Sequence, residues 1–186
     1  GVVLRIDQNR AHPIQLRQNE GIHYLVGAPS ETVPTRGIFG YRLIGATQPT
    51  LSGGAVAPGT FTGNAAVQFG PGEAPRIGID GLVTFGAGTA RLGTLGFSTQ
   101  GGAENPDQST LLAGQRFGFT DHVLTVRQNG ADPAGCGSAG CSVRLNGGLF
   151  GTNAAQLGFT YSIGSPRNNS PTVNGAAVFG NPVVRP

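Results

Sequence analysis

The stretch from Cys136 to Gly164, CGSAGCSVRLNGGLFGTNAAQLGFTYSIG, constrains the fold more than any other part of the chain. Val143, Leu145, Gly147 and Leu149 alternate with Arg144, Asn146 and Gly148. After a break, Leu157, Phe159, Tyr161 and Ile163 alternate with Gly158, Thr160 and Ser162. A period of two sends successive side chains to opposite faces, so each half predicts a strand with one buried face. Between them Gly151, Thr152 and Asn153 accept positive φ or hydrogen-bond their own backbone, and the chain is expected to reverse there. The unit is a β-hairpin or a close relative of one.

The same alternation recurs through most of the chain. Phe39, Tyr41 and Leu43 share a face opposite Arg42. Phe61, Gly63, Ala65, Val67 and Phe69 form a second set, Ile77, Ile79, Gly81, Val83 and Phe85 a third, and a shorter run spans 90–97. Between Gln115 and Gln128, Phe117 and Phe119 face one way while Leu124 and Val126 have changed parity, which predicts a bulge or bend near Asp121-His122. The last strand is expected from Thr172 to Gly180, with Val173, Gly175, Ala177 and Phe179 in phase. Counting from Gly37, this makes eight strands. Pro49, Pro58, Pro71 and Pro75 punctuate the connections, and GPGEAP at 70–75 reads as a turn. No segment carries an i, i+3, i+4, i+7 apolar stripe, so helix is not expected.

The 33 glycines are interleaved singly among Val, Ile, Leu, Phe and Thr, with no repeat period. Interior glycines weaken a strand, so their repeated use points to tight curvature and close backbone approach. The fold expected is all-β: an eight-stranded antiparallel meander β-barrel with a short N-terminal strand extension, closed to remove its edges. A two-sheet sandwich is the competitor; in-phase glycines favour the barrel, where small inner residues make room for large ones opposite. The chain is read as one domain. Residues 1–34 are an extension with one or two strands packing on the barrel, from GVVLRI at 1–6 and IHYLVG at 22–27, and residues 35–186 are the barrel.

Charged residues make up 11% of the chain, and the net charge of +3 is carried by arginine alone. The arginines are scattered from Arg5 to Arg185 without a cluster or a neighbouring aromatic platform, so no nucleic-acid partner is expected. No run of about 18 apolar residues exists, so no membrane-spanning helix is expected. The amino terminus lacks a basic segment followed by an apolar core, so a leader is expected to be absent from this chain or already removed. Cys136 and Cys141 lack the further Cys or His ligands a metal site would want. They are expected to form a local disulfide contributing about 2 kcal/mol, of a kind that persists outside the cytosol.

His12, His23 and His122 are the histidines, and the adjacent Asp121 and His122 would point to opposite sides of a strand. No metal or cofactor is therefore assigned. Tyr24, Tyr41 and Tyr161 read as strand residues of the core or rim. There is no G-x-S-x-G, no Walker loop and no dinucleotide fingerprint. The acids Asp7, Glu20, Glu31, Glu73, Asp80, Glu104, Asp107, Asp121 and Asp132 read as turn residues and solvated caps. No catalytic residue is assigned, and no enzyme activity is expected.

The motif GGLFGTNAAQLGFTYSI resembles the barrel signature of the transferrin-binding protein B family: a glycine pair, an aromatic, FG-x-NA, then a glycine-led strand. VNGAAVFG resembles that family's closing strand. HYLVGAPSETVPTRGIFGYRLIGATQPT is similar to the opening of such barrels in proteobacterial envelope proteins, including those that follow a FecR-type sensor domain. The resemblance spans about residues 22–180. It implies an eight-stranded barrel exported to the periplasm or cell surface that binds and does not catalyse. It carries no ligand residues across.

The function expected is a non-enzymatic cell-envelope or surface binding module of a Gram-negative bacterium, linked to iron or haem uptake. It would sit in the periplasm, on the outer-membrane surface or outside the cell. A protein or iron/haem-type ligand would be met by loops 51–60, 98–114 and 129–140, since a rigid scaffold presents function on its loops. An interior filled by Phe and Leu favours protein or surface contact over an enclosed small molecule. The alternative is a structural or adhesive subunit forming a homo-oligomer by strand addition through its ends, GVVLRI and NPVVRP.

Overall fold

The computed structural model describes residues 5–6, 14–86, 93–106, 108–109, 115–119, 124–129, 134, 136, 140–165 and 171–185. The strands are β1 (Arg5–Ile6), β2 (Ile14–Gln15), β3 (Gly37–Ala46), β4 (Thr50–Leu51), β5 (Thr60–Phe69), β6 (Arg76–Phe85) and β7 (Gly93–Thr99). They continue with β8 (Gln108–Ser109), β9 (Arg116–Phe119), β10 (Leu124–Asn129), β11 (Ser142–Phe150), β12 (Gln156–Gly164) and β13 (Val173–Arg185). There is no α-helix among the described residues; one 3₁₀ turn spans Thr152–Ala154. The protein is all-β.

β1 and β2 form a small ladder of their own, and the rest join one antiparallel sheet in the order β10-β7-β6-β5-β3-β13-β12-β11-β9. β4 adds to β13 and β8 to β6. The predicted 115–128 strand is present as two pieces, β9 on β11 and β10 on β7, at opposite ends of the ladder. The bend expected at Asp121-His122 lies outside the described residues. The opening hairpin pairs Val143 with Ile163 through Phe150 with Gln156 without a slip. Its reversal uses Gly151 at φ 73° and Asn153 at φ 52°, where glycine and asparagine are the residues that tolerate the left-handed region.

The sheet is strongly curled. Phe97 on β7 and Tyr161 on β12 are five ladder steps apart, about 24 Å if the sheet were flat, yet their ring centroids lie 5.8 Å apart. Phe61 on β5 touches Phe159, Tyr161 and Phe179, with centroids 5.3–6.4 Å away. The in-phase sets read from the sequence supply this core: Val67, Ile77, Ile79, Val83, Phe85, Leu145, Leu149, Leu157, Phe159, Ile163 and Phe179 are fully buried. The inner glycines sit under aromatic rings of neighbouring strands. A Cβ on Gly81 would strike the Phe97 ring, one on Gly175 the Tyr161 ring, and one on Gly147 both Phe117 and the Gly158 carbonyl. Glycine here makes the space into which rings lie down, and the sheet bends round them.

Four expectations are corrected. The final strand does not stop at Gly180. Asn181, at φ 53°, and Pro182, which has no N–H to offer a ladder, are absorbed in a register shift, after which Val183, Val184 and Arg185 pair with Gly40, Phe39 and Ile38. NPVVRP is therefore not a free end, and Arg5–Ile6 of GVVLRI pairs with Ile14–Gln15. IHYLVG is extended but joins no ladder, and Tyr24 within it is 72% exposed rather than core or rim. Asp80 is no turn residue; it stands in the middle of β6.

Two buried tyrosines predict opposite outcomes. The Tyr41 hydroxyl donates to the Ala154 carbonyl at 2.8 Å and pins the hairpin turn to β3. The Tyr161 hydroxyl is buried without a partner among the described residues. Chemical denaturation of Tyr41→Phe should show a loss of about 1–2 kcal/mol, and Tyr161→Phe should equal or exceed the parent, because the first leaves an acceptor unpaired and the second relieves an unmet desolvation cost.

Candidate binding surface

With Phe61, Phe97, Phe159, Tyr161 and Phe179 packed against each other, chemistry is left to the outer face. There, paired positions on neighbouring strands line up polar side chains: Arg42 opposite Asn64, Asn64 opposite Asp80, and Asp80 opposite Ser98. Asn64, Asp80 and Ser98, with Thr62, Leu82 and the glycines Gly63, Gly81 and Gly96, line a shallow groove of about 530 Å³. Asp80 is its one carboxylate, and that group is committed. It accepts from the Ser98 hydroxyl at 2.6 Å and from the Ala103 N–H at 2.8 Å. The 100–106 loop thus folds flat on β6, close enough that a Cβ on Gly78 would strike the Gly102 carbonyl. Arg185 donates to the Ala103 carbonyl at 2.7 Å and ties the last strand to the same loop. Asp80 holds structure here rather than a substrate.

The second outer feature is a strap formed by residues 20–30, crossing β13, β12 and β11. Glu20 anchors its start, accepting the N–H groups of Arg17, at 2.6 Å, and Gly53. His23 places its two ring nitrogens 2.8 Å from the hydroxyls of Thr47 and Thr50. Leu25 covers Gly158, whose missing side chain lets the strap approach. Pro29 bridges Phe150, Ser30 N–H donates to the Leu149 carbonyl at 3.0 Å, and the Ser30 hydroxyl donates to the Gly151 carbonyl at 2.7 Å. His23 and Leu25 face the sheet, so the alternate residues Ile22, Tyr24 and Val26 face outward, 46%, 72% and 85% exposed. Along one side of the strap run two concavities that share Asn146 and Thr160. One is lined by Arg144, Ser162 and Asn174 beside Gly21–His23, and the other by Arg116 beside Leu25, Gly27 and Pro29.

Two anchors of the strap titrate in the same sense. The backbone N–H of Arg17 and then that of Gly53 hold the Glu20 carboxyl below its ordinary 4.5, and burial lowers His23 below 6.5. Both folded values are depressed, so each group's contribution is complete above its unfolded value and is lost as pH falls through the folded one. The free energy of unfolding should therefore fall in two steps on acidification, the first below about pH 6.5 and the second below about pH 4.5. His23→Ala should abolish the first. A free energy of unfolding unchanged from pH 7 to 4 would show that neither anchor matters.

Of the residues singled out in the sequence, Cys136 and Cys141 are joined, with Cα atoms 4.9 Å apart and Cys136 buried. A bridge of this kind suits an oxidising compartment. His23 is a structural hydrogen-bonding residue; His12, His122, Asp7, Asp107, Asp121 and Asp132 lie outside the described residues. No group of three His, Cys, Asp or Glu able to hold a metal occurs among the described residues. Nor is any described helix long and apolar enough to cross a membrane. Loop 51–60 is folded back: Leu51 is buried, and Ser52 accepts the Thr172 N–H at 2.8 Å. Most of 129–140 lies outside the described residues. The strap groove was not visible in the sequence because Arg116 and Arg144 are distant in the chain; the cue is the alternation in 22–26, within the extension expected to pack on the barrel. No protein-family profile matches the chain, and neither does any curated protein or solved structure.

Proposed function

We propose that this protein is a non-enzymatic binding module of the Gram-negative cell envelope that meets a protein partner with its outer surface, in nutrient uptake of the iron or haem kind. The observation that carries this reading is the filled interior. The rings of Phe61, Phe97, Phe159, Tyr161 and Phe179 occupy the space where an enclosed ligand would sit. We further propose that the sheet closes into a barrel of the transferrin-binding protein B type, with 116–129 as the bridging strand. In support, Phe119 pairs with Leu145 at one end of the ladder and Leu124 with Thr99 at the other, with only four residues between them in the chain. The oxidised Cys136–Cys141 pair favours an envelope or extracellular location.

Fractionation of the host with thiol alkylation tests the reading. The chain should be recovered with the envelope or medium, and Cys136 and Cys141 should resist alkylation until reduced. Haem added to the purified chain should leave its absorption spectrum as free haem. Recovery in the cytosol with both thiols reactive, or a stoichiometric haem complex, would overturn it.

A further inference from the structure

We propose that the groove beside the strap is a docking site for an extended peptide segment in which apolar and acidic residues alternate, held by strand addition to residues 21–27. The proposal rests on reading the chain as a binding module and specifies the partner's chemistry.

Three observations converge on this occupant. First, residues 21–26 alternate half-buried and exposed with the period of an extended segment, and residues 21–27 pair with no other backbone group among the described residues, although the chain on either side of them does. An extended segment directs its N–H and C=O groups sideways, and such a row is a template for another strand. One side of this row borders the groove. Second, with His23 and Leu25 turned down, Ile22, Tyr24 and Val26 form an outward apolar row. An added strand would set its own outward side chains beside them, so every second residue of the partner should be apolar. Third, the intervening residues would face the floor, where Arg144 and Arg116 are exposed and no carboxylate lines either concavity. Asn146, Thr160, Ser162 and Asn174 supply further polar groups. Arg144 lies by Gly21–His23 and Arg116 by Leu25–Pro29, roughly four extended residues or about 13 Å apart. Two acids at i and i+4 of the partner would meet them, each in a charge-assisted contact.

The test uses the purified full chain and a fluorescein-labelled ten-residue peptide of alternating Val and Glu, followed by fluorescence polarisation. Saturable binding is expected. It should weaken at least tenfold for the Arg116→Glu/Arg144→Glu variant, whose two sites are exposed and leave the core untouched. It should weaken at least tenfold for the same peptide N-methylated at alternate amides, which keeps the charge and loses strand pairing. A Val-Lys peptide should not bind. Absence of saturable binding, or binding indifferent to N-methylation, would overturn the proposal, the latter reducing it to charge adsorption. A negative result with a chain recovered oxidised in the envelope removes the groove alone. Binding by a chain recovered in the cytosol removes the location and keeps the groove.

Discussion

Phe159→Ala is expected to lower the unfolding free energy by about 3–5 kcal/mol, the range for truncating a buried Phe. Against a total of about 5–15 kcal/mol this is a large fraction. With a urea slope of roughly 2 kcal/mol per molar, the midpoint should fall by about 2 M. The size follows from position: Phe159 is fully buried, stacks on Phe179 at 5.6 Å and meets Phe61 edge-on at 6.2 Å. Its loss would open a void between strands from both halves of the sheet, which cannot collapse without uncurling it. Leu82→Ser, half-exposed on the outer face, should stay within about 0.5 kcal/mol of the parent. Equal midpoints for the two variants would show that the rings do not form the core.

The second large effect concerns what the glycines make room for. Gly81→Ala should cost about 1–3 kcal/mol, because the added methyl enters space held by the Phe97 ring, and that ring is hemmed in by Phe61 and Tyr161. All three nearest obstacles belong to Phe97, so Phe97→Leu in the Gly81→Ala background should recover part of the loss. A double-mutant cycle should show coupling of about 0.5–3 kcal/mol. Gly147→Ala should behave differently. Its methyl meets the Gly158 carbonyl as well as Phe117, and no side-chain change moves a carbonyl of the adjoining strand. Phe117→Leu should therefore fail to rescue it. Rescue at Gly147, or additivity at Gly81, would mean that the glycines serve flexibility instead of ring packing.

Much of this was legible in the chain itself because period two is a local property. The buried sets at 61–69, 77–85, 143–149, 157–163 and 173–179 could be listed by parity, and the disulfide followed from a spacing too poor in ligands for metal. The errors occurred where a local rule met a tertiary partner. Proline after Gly180 reads as a stop, yet Gly40 and Phe39 lie beside Val183 and Val184 and the ladder resumes past the bulge. Ile22 to Gly27 alternates like a ladder strand, yet its inward groups find Thr47, Thr50 and Gly158, and it lies across the sheet rather than within it. Asp80 reads as one more sparse acid, and only the folded 100–106 loop explains why a carboxylate stands in a strand.

What the amino-acid order determined alone is the strand content, the inward face of each strand, the hairpin reversal and the bridge, since these depend on neighbours within a few residues. What tertiary structure decided is how far the sheet rolls, which pairs of glycine and ring share a site, and where the chain before Gly37 comes to rest. Those outcomes depend on residues from distant strands competing for the same volume, and spacing along the chain does not encode that competition.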